Sequence, residues 1–110
     1  MKQSILKLRN GFESSSGLTE QFRDFFKVFK REFSKELRSI GATDLKFSRG
    51  HFYVSGFFTV NDNPYYFSLS DVRSWTDKLL YRTVKDYMDY TGGSNQYVKI
   101  ENGMCHKMKL

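Results

Sequence analysis

Two histidines and one cysteine are the side chains best able to do proton-transfer or covalent chemistry here, and their spacing gives them little to work with. His51 follows Lys46 and Arg49 closely. From that set a metal-independent ribonuclease can be imagined, with the imidazole as base and a cation on the scissile phosphate. No carboxylate or nucleophile stands at a spacing that forces it onto His51, and Asp44 reaches it only if a hairpin folds the two together. Cys105 and His106 are adjacent, with no C-x-x-C pair to complete a zinc site. Asp71, Asp77, Asp86 and Asp89 could ligate magnesium, but their spacing matches no metal-binding loop, and helix capping accounts for Asp71 and Asp77. The expectation is a protein that binds rather than catalyses, with no metal and no cofactor.

Binding chemistry is better supplied. Arg23, Lys27, Lys30, Arg31, Lys35 and Arg38 fall on one stretch of helical periodicity, so cations stack on cations. Each such contact costs roughly 0.2–0.5 kcal/mol in an isolated helix, and an anionic partner would relieve it. The competing reading is a solvated face partly neutralised by Asp24, Glu32 and Glu36. Eighteen Lys and Arg against twelve Asp and Glu leave a net charge of +6 and a pI near 9.5, which favours polyanions or an acidic protein surface. A second candidate surface runs from Arg82 to Tyr97, where Arg82, Lys85, Tyr87, Tyr90 and Asn95 lie among Asp and Gly. That mix suits adaptable recognition, because tyrosine offers contact area with few rotors. The alternative is a structural loop whose tyrosines cover the sheet edge.

A third set is Arg49, His51 and Tyr53. The run Arg49-Gly50-His51-Phe52-Tyr53-Val54 partly resembles the central signature of RNA-recognition motifs, in which a basic residue and glycine precede strand aromatics that stack on bases. Phe52 stands where that family wants a small residue, and Gly56 where it wants an aromatic. The element order reads more like the double-stranded-RNA-binding domain, yet the lysine cluster that opens that family's second helix has no counterpart in Ser70 to Lys78. Sheet aromatics packed in a small core explain the run better.

These residues need elements to hold them. Phe22, Phe26, Phe29, Phe33, Leu37 and Ile40 recur at steps of three and four, which predicts a helix over Thr19 to Ile40 with one apolar stripe. Ser16 or Thr19 can cap its start, Glu20 and Asp24 suit its positive end, and Gly41 suits its C-terminal cap. Leu45 and Phe47 alternate with Lys46 and Ser48 to predict a strand over 44–49, and Arg49-Gly50 a turn. His51 to Val60 reads as a longer strand with Phe52, Val54, Gly56, Phe58 and Val60 on one face. Asn61 to Pro64 reads as a turn, Tyr65 to Leu69 as a third strand, and Ser70-Asp71 as the cap of one helical turn. Lys78 to Tyr90 fits either a helix or a strand at 79–84, and the strand is preferred. Asp89 to Asn95 is expected to be a loop, Tyr97 to Ile100 a short strand, and the segment from Asn102 mobile. Residues 1–12 lean to an edge strand.

At 110 residues and 39% apolar content the chain makes one domain, and eleven Phe, seven Tyr and one Trp compensate in ring size for a modest apolar count. The expected architecture is α+β over residues 1–110: one long amphipathic helix on an antiparallel sheet of about four strands, with 1–17 and 102–110 less ordered. A single cysteine and an N-terminal apolar run too short for a signal peptide or membrane span suggest the cytoplasm and no membrane partner.

The words GATDLKFSRGHFYVSGFFT, YYFSLSDVR and LLYRTVKDYMDYTGGSNQY, within residues 41–97, resemble a family of small proteins carried on phages and conjugative elements of Gram-positive bacteria. The resemblance implies a setting rather than a chemistry: inhibition of host defence, with anti-CRISPR proteins against type II RNA-guided nucleases as one such class. No shared motif defines that class, so no residue roles follow from it. The partner expected is a protein effector or ribonucleoprotein, or nucleic acid itself. DNA mimics are usually acidic, so a basic chain points to interference with guide RNA rather than mimicry. A stand-alone nucleic-acid-binding accessory protein is the alternative.

Overall fold

A helix that carries a stripe of rings needs an apolar sheet to lie on. The computed structural model of the protein describes residues 18–50, 52–69, 78–86, 89–101 and 103–110, leaving aside the side chains of Leu18, Thr19, Gln21, Asp86, Asp89, Tyr90 and Thr91. Helix α1 spans Leu18–Ser39. At its end Gly41, with φ 87, lets its own N–H reach the Arg38 carbonyl (3.1 Å) while the Ala42 N–H reaches that of Leu37 (3.0 Å), the paired bonds of a Schellman turn. Ala42 and Leu37 are both buried. The N-terminal cap proposed at Ser16 or Thr19, the strand proposed in residues 1–12 and the helical turn proposed at Ser70-Asp71 lie outside the described residues or side chains.

Strands β1 (Thr43–Arg49), β2 (Val54–Val60), β3 (Asn63–Leu69) and β4 (Lys78–Asp86) are antiparallel neighbours in chain order. β5 (Asp89–Gly92) and β6 (Gln96–Lys99) both pair with β4, β6 along Lys78 to Tyr81 and β5 at Val84 and Asp86. They share one edge of β4 end to end, so the sheet is five strands wide. The α+β class holds, with one more strand position than expected. The strand reading of 79–84 also holds, extended to Lys78–Asp86.

Four local expectations are corrected. β2 begins at Val54, because Phe52 adopts φ 62 and the Gly50 N–H closes a turn onto the Tyr53 carbonyl at 3.0 Å. β3 begins at Asn63: Asn61 (φ 51) and Asp62 (φ 65) alone make a two-residue turn with both central φ angles positive, and Pro64 pairs with Thr59 inside the strand. Pro64 still limits pairing on its other side, where the β3–β4 register starts only at Tyr65. Asp89–Gly92 is strand rather than loop, since extending the β4 hairpin satisfies its backbone groups; the irregular part shrinks to Gly93–Asn95. The C-terminal segment forms a short helix, α2 (Met104–Lys107), held by burial of Met104, Cys105 and Met108 and by an ion pair between Lys107 and Glu101.

The core joins α1 to one face of the sheet. Phe33 meets Phe67 edge-on at 5.0 Å, Phe47 at 6.2 Å and Phe58 at 6.3 Å, and stacks on Phe29 at 5.2 Å. Such pairs add about 0.5–1.5 kcal/mol each beyond their burial. Val54, Val60, Leu69, Leu79, Tyr81 and Val98 complete the same layer, all buried. The helical stripe is Phe22, Phe25, Phe29, Phe33 and Leu37; Phe25 is fully buried, while Phe26 and Ile40 are only half-buried. Steps of three and four admit either member of the Phe25-Phe26 doublet. Phe25 wins because α1 is covered on the Glu32/Glu36 flank by the C-terminal segment as well as below by the sheet.

Candidate nucleic-acid interface

Turning about 100° per residue, α1 brings Arg23, Lys27, Lys30, Arg31 and Arg38 onto one flank, with Lys35 further round on the side away from the sheet. All six are exposed. Of the three carboxylates expected to neutralise them, one is occupied elsewhere and one pairs with a single cation: Glu36 accepts the backbone N–H of Cys105, and Glu32, buried on the far flank, reaches Arg31 Nε at 3.5 Å. Asp24 remains exposed on the outer surface, as does Glu20 in the first turn.

Four of the cations border a hollow of about 440 Å³ lined by Phe26, Lys27, Lys30, Arg31, Ser34 and Arg38. Phe26 and Ser34 are its least exposed residues and make its floor. Two cations are oriented over rings: Lys30 Nζ lies 5.9 Å from the Phe47 centroid and Arg49 Cζ 5.5 Å from that of Phe26. At exposed sites each contact is worth about 0.5–1 kcal/mol and keeps the aliphatic stem down with the charge outward. Arg49, from the edge strand β1, therefore joins the helix cations on one surface. Phe26 and Ser34 belong to it through the row 26, 30, 34, 38, one residue per turn, whose first member the apolar stripe also claims.

The other sequence candidates are placed elsewhere. Tyr66 and Arg82 are register partners on the sheet face away from α1, where the Arg82 guanidinium lies 5.0 Å over the Tyr66 ring and its Nη1 donates to Asn95 Oδ1 at 3.0 Å. Arg82 and Asn95 are thus brought together, apart from the helix hollow. Lys85 is exposed near the end of β4, and Tyr53 is 45% exposed in the turn before β2. The backbone of Tyr90 lies in β5 with its side chain outside the described set, and His51 and Tyr87 lie outside the described residues. The signature-like run at Arg49 to Val54 falls on a turn rather than a strand, and its Phe52 is buried against Phe22 at 5.3 Å. Among the described residues of the run, no strand carries an exposed ring as an RNA-recognition motif does.

Among the described residues no three His, Cys, Asp or Glu side chains converge as metal ligands, and no helix is long and apolar enough to cross a membrane. Cys105 is buried, and its thiol is pushed up to about 12, by burial first and by the Glu36 carboxylate next. That thiol is not a nucleophile at neutral pH. No family model, curated protein or solved structure matches the chain.

Proposed function

We propose that the protein is a non-catalytic binding protein that grips a nucleic-acid backbone on the cationic flank of α1. One observation carries the reading: four exposed helix cations, Lys27, Lys30, Arg31 and Arg38, line one hollow, Arg49 lies over its Phe26 floor, and Arg23 extends the same flank, while Glu36 is held on the opposite flank. From Arg23 to Arg38 the helix rises about 22 Å, enough for several successive phosphates. The resemblance of residues 41–97 to small phage and conjugative-element proteins supplies the setting, an anti-CRISPR inhibitor of a type II RNA-guided nuclease in the bacterial cytoplasm. There the target is guide RNA or the cleft that holds it.

Anisotropy titrations with a labelled guide-like RNA hairpin and a DNA duplex test the binding, and a plasmid-interference assay tests the setting. The expectation is binding that weakens steeply with salt, together with protection of the plasmid. Binding of free duplex without protection would favour a stand-alone accessory protein. No binding of either nucleic acid at low salt would end the reading.

A further inference from the structure

β5 and β6 behave as one strand with a gap. They lie along the same edge of β4, and the three residues between them, Gly93, Ser94 and Asn95, leave the ladder beside Arg82 and Thr83. The gap is pinned on both sides, by the Gly93 N–H on the Thr83 carbonyl at 3.0 Å and by Arg82 Nη1 on Asn95 Oδ1 at 3.0 Å. It opens a cavity of about 410 Å³, within the range of small-molecule sites. Tyr65 and Tyr81 wall it, Thr83, Ser94 and Gln96 add hydroxyl and amide groups, and Lys109 borders it from the C-terminal segment. None of its lining residues is a carboxylate; Lys109 is a cation, and Arg82 also lines it, with its guanidinium held over Tyr66 on the other face of the sheet.

The Tyr65 side chain is the informative one. It is 4% exposed, and among the described residues its hydroxyl has no hydrogen-bond partner, although a buried hydroxyl left unpaired is unfavourable. Burial first, then the neighbouring Tyr81 phenol, push its ionisation above the ordinary tyrosine value, so it is an O–H donor at neutral pH. The Tyr81 hydroxyl accepts the Lys109 backbone N–H at 2.7 Å, which leaves its own proton to donate. The wall therefore offers donors and positive charge together, the complement of an oxyanion.

We propose that this cavity binds a phosphomonoester, with the Tyr65 hydroxyl and the Lys109 ammonium as its principal donors. The group could belong to a free mononucleotide or to the 5′ end of a nucleic-acid strand. The proposal does not depend on the helix surface, because a mononucleotide is too short to span the cations of α1.

Calorimetric titration in phosphate-free buffer tests it, using inorganic phosphate, a nucleoside 5′-monophosphate, and a trinucleotide with either a 5′-phosphate or a 5′-hydroxyl. Saturable binding of the monophosphate or the 5′-phosphorylated trinucleotide is expected, with at least tenfold loss for the 5′-hydroxyl form. Equal binding of the two phosphorylated ligands identifies a free small molecule as the source, and preference for the trinucleotide identifies a strand end. Tyr65→Phe keeps the ring and removes the hydroxyl; it should weaken binding about tenfold or more while leaving the melting temperature of the free protein unchanged or raised. Lys109→Gln should weaken it severalfold. Absence of saturable binding to every phosphorylated ligand, unchanged binding in Tyr65→Phe, or a lowered melting temperature in that variant would overturn the proposal, the last because it would show that the hydroxyl is already satisfied within the fold.

Discussion

The backbone N–H of Cys105 donates to Glu36 Oε1 at 3.3 Å, across 69 residues of chain. This bond fastens the C-terminal segment to the flank of α1 that carries no cations, and it occupies Glu36 there. Glu36→Ala removes the acceptor and leaves a part-buried amide unpaired, which should cost about 1–3 kcal/mol. The same variant should speed modification of Cys105 by a thiol reagent at pH 8, since the wild-type thiol is 2% exposed and reacts only when the segment opens. A urea midpoint and a labelling rate measure the two effects; equal labelling rates in both proteins would show that the bond does not hold the segment.

The raised Cys105 ionisation makes a signed prediction about pH. The folded protein holds the thiol proton to about 12, whereas an unfolded chain releases it near 8.5. Above that lower value the unfolded state binds fewer protons, so stability falls as pH rises, by at most about 1.4 kcal/mol per unit, until the folded value is passed. Stability below pH 8 is untouched by this group. Urea midpoints at pH 7, 9 and 10.5 should decline in the wild type more steeply than in Cys105→Ala; the difference isolates the thiol from tyrosines such as Tyr65, whose shift has the same sign.

Phe25 and Phe26 are adjacent rings in different surroundings. Phe25 is fully buried and stacks on Phe29 at 6.0 Å, so Phe25→Ala should cost about 3–5 kcal/mol. Phe26 is half-buried under the Arg49 guanidinium, and Phe26→Ala should cost about 1 kcal/mol or less, the ring losing its cation contact and part of its burial. Chemical denaturation of the two variants gives the ranking, and a larger loss at Phe26 would mean that the stripe lies one residue further round.

That doublet marks how far the sequence could be read. Period 3.6 placed Phe22, Phe29, Phe33 and Leu37 correctly, because no second ring stands beside any of them to compete for the face. Period 2 placed β1 and the core of β2, whereas β4 rested on its β-compatible residues, because periodicity left helix and strand both open there. What period does not encode is backbone φ and long-range company. The positive φ of Phe52 shortened β2, and two positive φ values at Asn61 and Asp62 tightened a turn that composition alone had drawn too wide. Met104, Cys105 and Met108 read as a tail because a five-residue pattern carries no period; their burial depends on a helix 69 residues away. The cationic flank was legible as a set of residues, and 100° per residue already sets Glu36 across the helix from it; what spacing does not show is the bond to Cys105 that occupies Glu36 there. The cavity at the strand gap left no local signal: Tyr65, Thr83 and Lys109 come from distant parts of the chain.

Gly56 sits where β1, β2 and β3 cross one register line, opposite Phe47 and Phe67. A Cβ built there would lie 1.9 Å from the Lys46 carbonyl oxygen and 2.7 Å from the Phe67 ring. The ring that fills the space comes from β3 rather than from the helix, and a carbonyl in the β1 bulge cannot swing aside as a side chain can. Gly56→Ala should therefore destabilise by about 1–3 kcal/mol or more, despite the higher strand propensity of alanine. A thermal midpoint equal to that of the wild type would show that the bulge at Lys46 relaxes freely.

The cationic flank makes a graded prediction, because its residues differ in where they stand. Lys27, Arg31 and Arg38 line the hollow, whereas Lys35 lies round the helix from it. Each phosphate contact contributes about 0.7 to the salt slope on a single strand and about 0.9 on duplex DNA. Lys27→Gln, Arg31→Gln and Arg38→Gln combined should lower the slope of log K against log salt by about 2–3, while Lys35→Gln alone should leave it nearly unchanged. All four side chains are exposed, so neither variant should fold less well; removing like-charge contacts along α1 should if anything stabilise it slightly. Anisotropy titrations between about 50 and 200 mM salt resolve such a difference. A slope that survives the triple variant would move the contact off α1 and onto the far face of the sheet, where Arg82 lies over Tyr66 and bonds Asn95.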